Sequence, residues 1–342
     1  MILGLETSCD DTSVAVLTLD GQVRGLVAAN QDQAHRPFGG VVPEVASRAH
    51  TENLLPLVER VLNEAGVDWS AITGIAVTSR PGLIGSLLVG VVTAKTLSLV
   101  KKVPFVGVNH IEGHLLAPLL RDTTYAPPTG FDFPYIGLAV SGGHTHLFLC
   151  EQPGRYRLLG KTMDDAAGEA FDKFAKMMKL GFPGGPLVDR HAASGDPRAF
   201  AFPRGLLHEE GLNFSFSGLK SAAGRMLESL TPEQRAARCA DLCASFQEAV
   251  VDVLVARLSR AGEQQGVRLW AITGGVSANS RLRARAEAEA TRKGAILAMP
   301  PLRYCTDNAA MIALAGLYRL RAGEVSAQAL SPSASALAGD WL

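Results

Sequence analysis

Tyr135-Ile136-Gly137-Leu138-Ala139-Val140-Ser141 repeats, in the second half of the chain, the pattern of Ile2-Leu3-Gly4-Leu5-Glu6-Thr7-Ser8. Both runs carry glycine third and serine last, and both lead into a polar turn: Cys9-Asp10-Asp11-Thr12-Ser13 after the first, Gly142-Gly143-His144-Thr145 after the second. Working outward, the first run is followed by strand patterns at Val14–Leu19 and Val23–Ala29, joined by the hairpin signal Asp20-Gly21. The second is followed by strands at Leu147–Cys150 and Tyr156–Leu159. Helical periodicity runs from Pro43 to Ala65 through Val45, Leu54, Leu55, Val58 and Leu62, and Gly66 stops it. A strand at Ile72–Thr78, a turn at Arg80-Pro81-Gly82, an apolar helix from Leu83 and a strand at Val103–Val108 complete the first half. The second half has a long helix from Cys239 to Leu258, a strand at Leu269–Thr273 and a helix from Arg281 to Arg292. A strand at Ala295–Met299 and a last helix opened by Asp307-Asn308 end it.

Each half therefore reads β-β-β-α-β-α-β-α. Duplication on this scale predicts two similar α/β lobes facing each other across a cleft. The order of elements matches the actin, Hsp70 and sugar-kinase (ASKHA) class of folds. The lobes fall at residues 1–125 and 126–325, with a helical insert in the second at about 160–238. The tail, 326–342, holds Ser331-Pro332-Ser333 between Ala-rich flanks and is expected to be mobile.

Composition bounds the function. The 342 residues exceed what one core usually serves. They are 47% hydrophobic and 19% charged, which excludes a largely disordered chain. Net charge is zero, so any contact with nucleic acid must use a local patch. The start, Met1-Ile2-Leu3-Gly4-Leu5-Glu6, meets an acid at once and does not read as a signal peptide. Ser86, Thr93, Lys95, Thr96 and Ser98 interrupt the apolar stretch from Leu83 to Val100, which suits a buried helix better than a membrane span. The odd count of cysteines, with no Cys-x-x-Cys, fits reduced thiols in the cytoplasm.

The chemistry centres on Asn109-His110-Ile111-Glu112-Gly113-His114. Asn109 is a helix N-cap signal, which puts both histidines in the first turns of a helix and on one face. Two imidazoles so spaced can hold one metal ion; the plainer alternative is a helix whose histidines hydrogen-bond locally. The duplication sets Asp307 at the start of the matching helix of the second lobe, so pseudo-twofold symmetry predicts that His110, His114 and Asp307 converge as two nitrogens and an oxygen. Around the same cleft, Thr7–Ser13, Ser141-Gly142-Gly143-His144-Thr145 and Gly274-Gly275 form turns where backbone N–H groups can approach a phosphate. Three at repeated positions suggest a nucleotide, although singly each is weak. Asp172 and Asp189 can accept from ribose hydroxyls, and otherwise read as solvated helix positions.

Taken together, Gly4–Ser13, the His110 motif, Val140–Thr145, Asp164–Lys173, Pro183–Asp189, Phe214–Lys220, Gly274–Asn279 and Cys305–Asn308 resemble the TsaD family, in one unbroken order from about Ile2 to Leu320. These proteins, once described as glycoprotein endopeptidases, transfer a threonylcarbamoyl group from threonylcarbamoyl-AMP. The acceptor is the exocyclic amine of the adenosine 3' of the anticodon, in tRNAs that read codons beginning with adenine. The resemblance implies one Fe2+ on His110, His114 and Asp307, with Zn2+ as the alternative. It implies substrate contacts from Ala139, Val140, Ser141, Gly142, Gly143, Asp172, Gly185, Asp189 and Asn279. It also implies a TsaB-like paralogue and a TsaE-like ATPase as partners. Archaeal and eukaryotic members carry a tyrosine where Ala139 stands; Ala139 cannot ligate a metal, which points to a bacterial-type member.

The donor in such a transfer is a mixed anhydride, already activated, so no protein nucleophile is required and no catalytic group is expected beyond the metal ligands. Arg281, Arg283 and Arg285 are the expected basic face for tRNA phosphates, with a solvated helix side as the equal alternative. Three other classes compete. A metalloprotease needs Glu directly after the first His; here Ile111 stands there, and Glu112 lies about 200° around the helix from His110. A nucleotide-binding regulator would not need the three ligands, and a sugar kinase would need a sugar site that the insert does not offer.

Overall fold

The computed structural model describes residues 1–38 and 40–335. They group into two compact units. The first comprises Met1–Thr129, Gln152–Tyr156 and the described residues from Pro300 onward; the second comprises Gly130–Glu151 and Arg157–Met299.

The first unit opens with β1 (Ile2–Glu6), β2 (Thr12–Leu17), β3 (Val23–Ala29), the one-turn α1 (Asp32–His35), α2 (Pro43–Ala65), β4 (Gly74–Arg80), α3 (Ile84–Lys101), β5 (Phe105–Asn109) and α4 (His110–Leu116). Its sheet runs β3-β2-β1-β4-β5. β1 is antiparallel to β2 and parallel to β4. The second unit holds β6 (Tyr135–Val140), β7 (Thr145–Gln152), β8 (Arg155–Lys161), α5 (Ala167–Met177), α6 (Gly184–Ala192), α7 (Ser217–Glu228), α8 (Pro232–Ala237), α9 (Cys239–Gln265), β9 (Leu269–Thr273), α10 (Ser280–Lys293) and β10 (Ile296–Ala298). Its sheet runs β10-β9-β6-β7-β8. β6 is antiparallel to β7 and parallel to β9. Read from the matching edge, the two sheets have one topology, as the repeated run requires: the fold is the duplicated actin-like α/β fold.

Each sheet buries its faces with helices. Leu3 and Leu5 of β1 pack with Leu54, Val58 and Val61 of α2 and with Val91 of α3. In the second unit Ile136, Leu138 and Val140 join Val250 and Leu254 of α9 in one core. The insert is fastened to the same helix, with Phe174 of α5 stacked on Phe246 of α9 at 4.0 Å between ring centroids.

The last helices among the described residues are α11 (Leu302–Cys305) and α12 (Ala309–Arg321). Here the structure departs from the expected boundaries. The segment from Pro300 belongs to the first unit, not to a second lobe running to 325. The reason is steric and apolar: every residue of α12 from Ala309 to Leu317 is buried. A Cβ on Gly4 would lie 2.3 Å from the Ala309 carbonyl oxygen, and one on Gly316 would lie 2.2 Å from the Cβ of Ala76. Two missing side chains let α12 lie against β1 and β4.

The tail is likewise tied down as far as it is described. Ser326 N–H donates to the Phe105 carbonyl at 2.9 Å and Ser333 N–H to the Ser79 carbonyl at 2.9 Å. Lys95 Nζ donates to the Leu330 carbonyl at 2.6 Å. The mobility expected from 326 is thus not what residues 326–335 show, and residues 336–342 lie outside the described residues. A third departure concerns α3. Its Ser86, Leu87, Gly90, Val91, Ala94 and Ser98 face is buried, but Ile84, Leu88, Val92 and Leu99 are exposed in a stripe along the other side. It is a half-covered helix rather than a buried one.

Because the α12 contact at Gly4 involves backbone, Gly4→Ala should destabilise the protein by about 1–3 kcal/mol in denaturant unfolding, whereas Gly142→Ala, which meets nothing within 4 Å, should leave stability within about 0.5 kcal/mol of wild type.

Candidate active site

The site in the first unit is built at the carboxyl ends of β1 and β5. Asn109 ends β5 and caps α4, its side chain accepting from Ile111 N–H at 2.9 Å. That cap fixes the first turn of α4, and all seven residues of the helix are buried. His110 and His114 therefore stand one turn apart, with rings 4.6 Å between centroids and nearly perpendicular at 88°. The third group arrives from the far end of the chain. Asp307 immediately precedes Asn308, the N-cap of α12. Its Oδ1 lies 3.3 Å from His110 Nε2 and 3.2 Å from His114 Nε2. The expected convergence of the three is observed, with ligand atoms all within 4.8 Å of one another. The route differs from pseudo-twofold symmetry: Asp307 is beside α4 because α12 is laid on the first sheet.

His110 is oriented from behind. Glu6, the last residue of β1, is wholly buried and its Oε2 lies 3.0 Å from His110 Nδ1. Thr78 hydroxyl donates to the same oxygen at 2.6 Å, and Ser8 N–H donates to Oε1 at 2.5 Å. A carboxylate that accepts from Nδ1–H leaves the Nε2 lone pair facing Asp307. His110 Nε2 and the Asp307 oxygen then need a positive charge between them, a proton or a cation, whereas a neutral His114 can donate from Nε2. Burial opposes protonation of His110, but Asp307 and Glu6 outweigh it and hold its pKa well above the ordinary 6.5. Burial likewise works against the Asp307 carboxylate, yet the two histidines hold its pKa well below the usual value. Two imidazoles and a carboxylate, oriented by a further carboxylate, are a donor set that fits a divalent ion of the iron or zinc kind.

The glycine-rich turns and the expected substrate contacts lie in the second unit. Ala139 and Val140 end β6 with buried side chains, so only their backbone is available to a ligand. Ser141 N–H donates to the His144 carbonyl at 2.8 Å and closes the turn. The N-terminus of α5 abuts it: Ala167 N–H donates to Thr145 Oγ1 at 2.9 Å. Gly142, Gly143, Gly185 and Gly275 face open space. Gly274 has φ +87°, and a Cβ there would lie 2.4 Å from the Val140 carbonyl oxygen. Beside it the buried hydroxyls of Thr273 and Ser277 have no hydrogen-bond partner among the described residues.

Three expected contacts prove to be engaged within the protein. Asp172 accepts from Gly184 N–H at 2.7 Å. Asp189 accepts from Ser280 hydroxyl at 2.7 Å. Asn279 caps α10 through Leu282 N–H at 2.9 Å and donates to Gln247 at 2.8 Å. The expected basic face is also spent internally. Arg281 and Arg285 pair with Glu248, and Arg285 also pairs with Asp252. Arg283 donates to the carbonyls of Ser277 and Met299.

The sequence model of the TsaD family, described as tRNA N6-adenosine threonylcarbamoyltransferase, matches residues 22–314. The chain belongs to this family. A TsaD relative of that name from Bdellovibrio bacteriovorus is 58% identical, over 99% of each chain. One from Thermosynechococcus vestitus is 49% identical over 95% of this chain and 92% of its own. Solved structures share the fold at low identity. HypF from T. kodakarensis superposes with a TM-score of 0.61 at 13% identity, covering 94% of this chain and 48% of its own. The (R)-2-hydroxyglutaryl-CoA dehydratase component A of Acidaminococcus fermentans gives 0.52 at 12% identity, over 94% and 99%.

Two parts of the site in this TsaD-family chain carry no motif of their own. Glu6 could have been found, as the one acid in an otherwise apolar strand: a buried carboxylate needs partners. The clamp behind the Cys9–Thr12 turn gives no such signal. Buried His50 donates from Nε2 to the Cys9 carbonyl at 3.0 Å, with Thr12 hydroxyl 2.7 Å from its Nδ1. Since Asn279 is an N-cap, Asn279→Ala should cost about 1 kcal/mol of stability, while Asn279→Ser should keep the cap. Thermal unfolding of both variants beside adenylate calorimetry separates the two roles: lost affinity in the stable Ser variant would mark a ligand contact.

Proposed function

We propose that this chain transfers the threonylcarbamoyl group from threonylcarbamoyl-AMP to N6 of the adenosine 3' of the anticodon, in tRNAs reading codons that begin with adenine, and that His110, His114 and Asp307 hold one Fe2+, with Zn2+ as the alternative. The observation that carries the metal assignment is one Asp307 oxygen held 3.2 Å and 3.3 Å from two imidazole nitrogens. A divalent ion bound there supplies Lewis acidity toward an oxygen of the donor.

The chain's own residues account for the rest. Glu6 holds His110 in the tautomer that presents Nε2. Gly142, Gly143 and Gly275 offer open backbone to the adenylate, and the unpartnered hydroxyls of Thr273 and Ser277 sit beside that turn. In the transfer, the amine nitrogen bonds to the carbamoyl carbon, the bond to the AMP oxygen breaks, and the amine releases a proton. Positioning and charge stabilisation suffice for such an activated donor. Peptide hydrolysis fits poorly: Glu112 is buried and bound by Arg319 at 2.8 Å and 2.9 Å, so it is not placed to serve as a general base.

The partner is a TsaB-like paralogue, with a TsaE-like ATPase completing the assembly in the cytoplasm. The exposed stripe Ile84, Leu88, Val92 and Leu99 on α3 and exposed Leu55 on the neighbouring α2 supply an uncovered apolar face that a protein partner can bury. Helix α3 has the length and apolarity of a bilayer span, but its other face packs against β4 and α2.

Purified protein should carry about one iron or zinc per chain, and His114→Ala should lose most of it while remaining folded; full retention would sink the metal assignment. With threonylcarbamoyl-AMP and unmodified tRNA, the chain should yield the modified adenosine. Sustained turnover should need both partners and ATP. Val92→Glu should weaken the pairing and leave metal content unchanged, as read by size exclusion and metal analysis.

A further inference from the structure

His110 has a buried carboxylate behind it, but His114 has none: its Nδ1 is buried and has no hydrogen-bond partner among the described residues. A metal-binding imidazole is usually aimed by a partner on its other nitrogen. The aim of His114 therefore depends on where the backbone of α4 is placed. Two contacts set that placement, both against α12, the helix that follows Asp307. Gly113 lets the helices close up; a Cβ there would lie 2.8 Å from Ile312 Cδ1 and 3.0 Å from Met311 Cγ. Glu112, 1% exposed, meets Arg319 in a two-bond ion pair, from Nε at 2.9 Å and from Nη2 at 2.8 Å. Tyr156 hydroxyl adds a third donor to Glu112 at 3.3 Å.

We propose that the Glu112–Arg319 pair is the positioning strut of the metal centre: it fixes α4 against α12, and so fixes His110 and His114 relative to Asp307. This rests on the metal reading above. Glu112 and Arg319 act on the ligands only through the backbone and are positioning residues. The pair is closed at the site's rear: Arg319 is itself steadied by Glu324 at 2.9 Å, and Glu112 lies on the side of α4 away from His110. A buried pair made only for stability could be replaced by apolar residues of similar volume at little cost. A strut could not, because apolar contact does not fix the helix register as two directed hydrogen bonds do.

The test compares metal affinity with stability in the full-length chain, using iron(II) or zinc(II) against a competing chelator. Wild type and His114→Ala calibrate the assay. If wild type binds neither ion, the metal reading fails. If wild type binds and His114→Ala does not, the reading stands and the strut can be judged. Glu112→Gln, which leaves the buried guanidinium with only the half-exposed Glu324 as counter-charge, should lower the melting temperature and weaken metal binding about 10- to 100-fold. The decisive variant is Glu112→Leu combined with Arg319→Met. The strut predicts a melting temperature near that of wild type with metal affinity still weakened at least about tenfold. Recovery of wild-type affinity along with stability would overturn the proposal. Should the double variant fail to fold, Gly113→Ala reads the same α4–α12 joint: weakened affinity in the folded protein supports the strut, and unchanged affinity refutes it.

Discussion

One oxygen of Asp307 sits between two imidazole nitrogens, and much of the first unit is arranged to make that tolerable. A neutral His114 can donate to Asp307 from Nε2, but His110 directs Nδ1–H at Glu6, so its Nε2 is held against Asp307 favourably only with a proton or cation between them. The geometry that enforces the encounter lies elsewhere. Helix α12 must lie flat on β1 and β4 to present Asp307 at its start, and it can do so only because positions 4 and 316 have no side chain. Glu6 and Asp307 thus approach opposite ring nitrogens of His110, one carried by β1 and one by the residue just before the cap of α12. Sequence separation is bridged by close backbone packing, not by a loop.

The order of elements and the division into two α/β halves were legible because the duplication is written locally, as two apolar runs with the same glycine and the same polar ending. The α4 cap was legible for the same reason: Asn109 and the histidines are neighbours in sequence. The placement of α12 was not. A helix apolar on every side announces burial but does not say which sheet covers it, and strict symmetry between the halves assigned it to the wrong one. The tail misled in a related way. Small and polar residues from Ser326 to Ser333 have the composition of a free end, yet backbone groups can bond to the edge strand β5 whatever the side chains are. Helix α3 misled through composition alone, since an apolar helix with one uncovered side looks, in sequence, like a buried one.

The functional residues divide along similar lines. Those that act by side-chain chemistry at fixed local spacing, His110 and His114, stand out from the chain. Those with two uses do not. Asn279 and Asp189 look like ligand contacts but also cap α10 and fasten α6 to it, so conserving the fold would demand them even without a nucleotide. The arginines of α10 look like a phosphate-binding face, and instead most of their donors are taken by Glu248, Asp252 and two carbonyls. With zero net charge on the chain and this face engaged, tRNA affinity has to come from other local patches or from partner proteins, because phosphate contacts supply most of the binding free energy for a nucleic acid.

The two halves also show how one duplicated strand end was put to two uses. Glu6 and Ala139 occupy matching places, each last or next to last on its strand; Glu6 pairs across to Ser13 and Ala139 to His146. In the first half that place holds a buried carboxylate, and the turn beyond it is rich in side chains that bond inward. In the second half it holds a methyl group, and the turn beyond it is glycine with open space around it. A carboxylate in the second turn would repel a phosphate brought to it, and an alanine in place of Glu6 would leave His110 without its orienting partner. The asymmetry divides what the two ends offer: a fixed charge that orients an imidazole in the first half, bare backbone with open space around it in the second. Changing Gly142 to Asp, where a side chain meets open space, would test that division, since the new carboxylate should weaken adenylate binding in calorimetry while leaving the metal content of the first unit as it was.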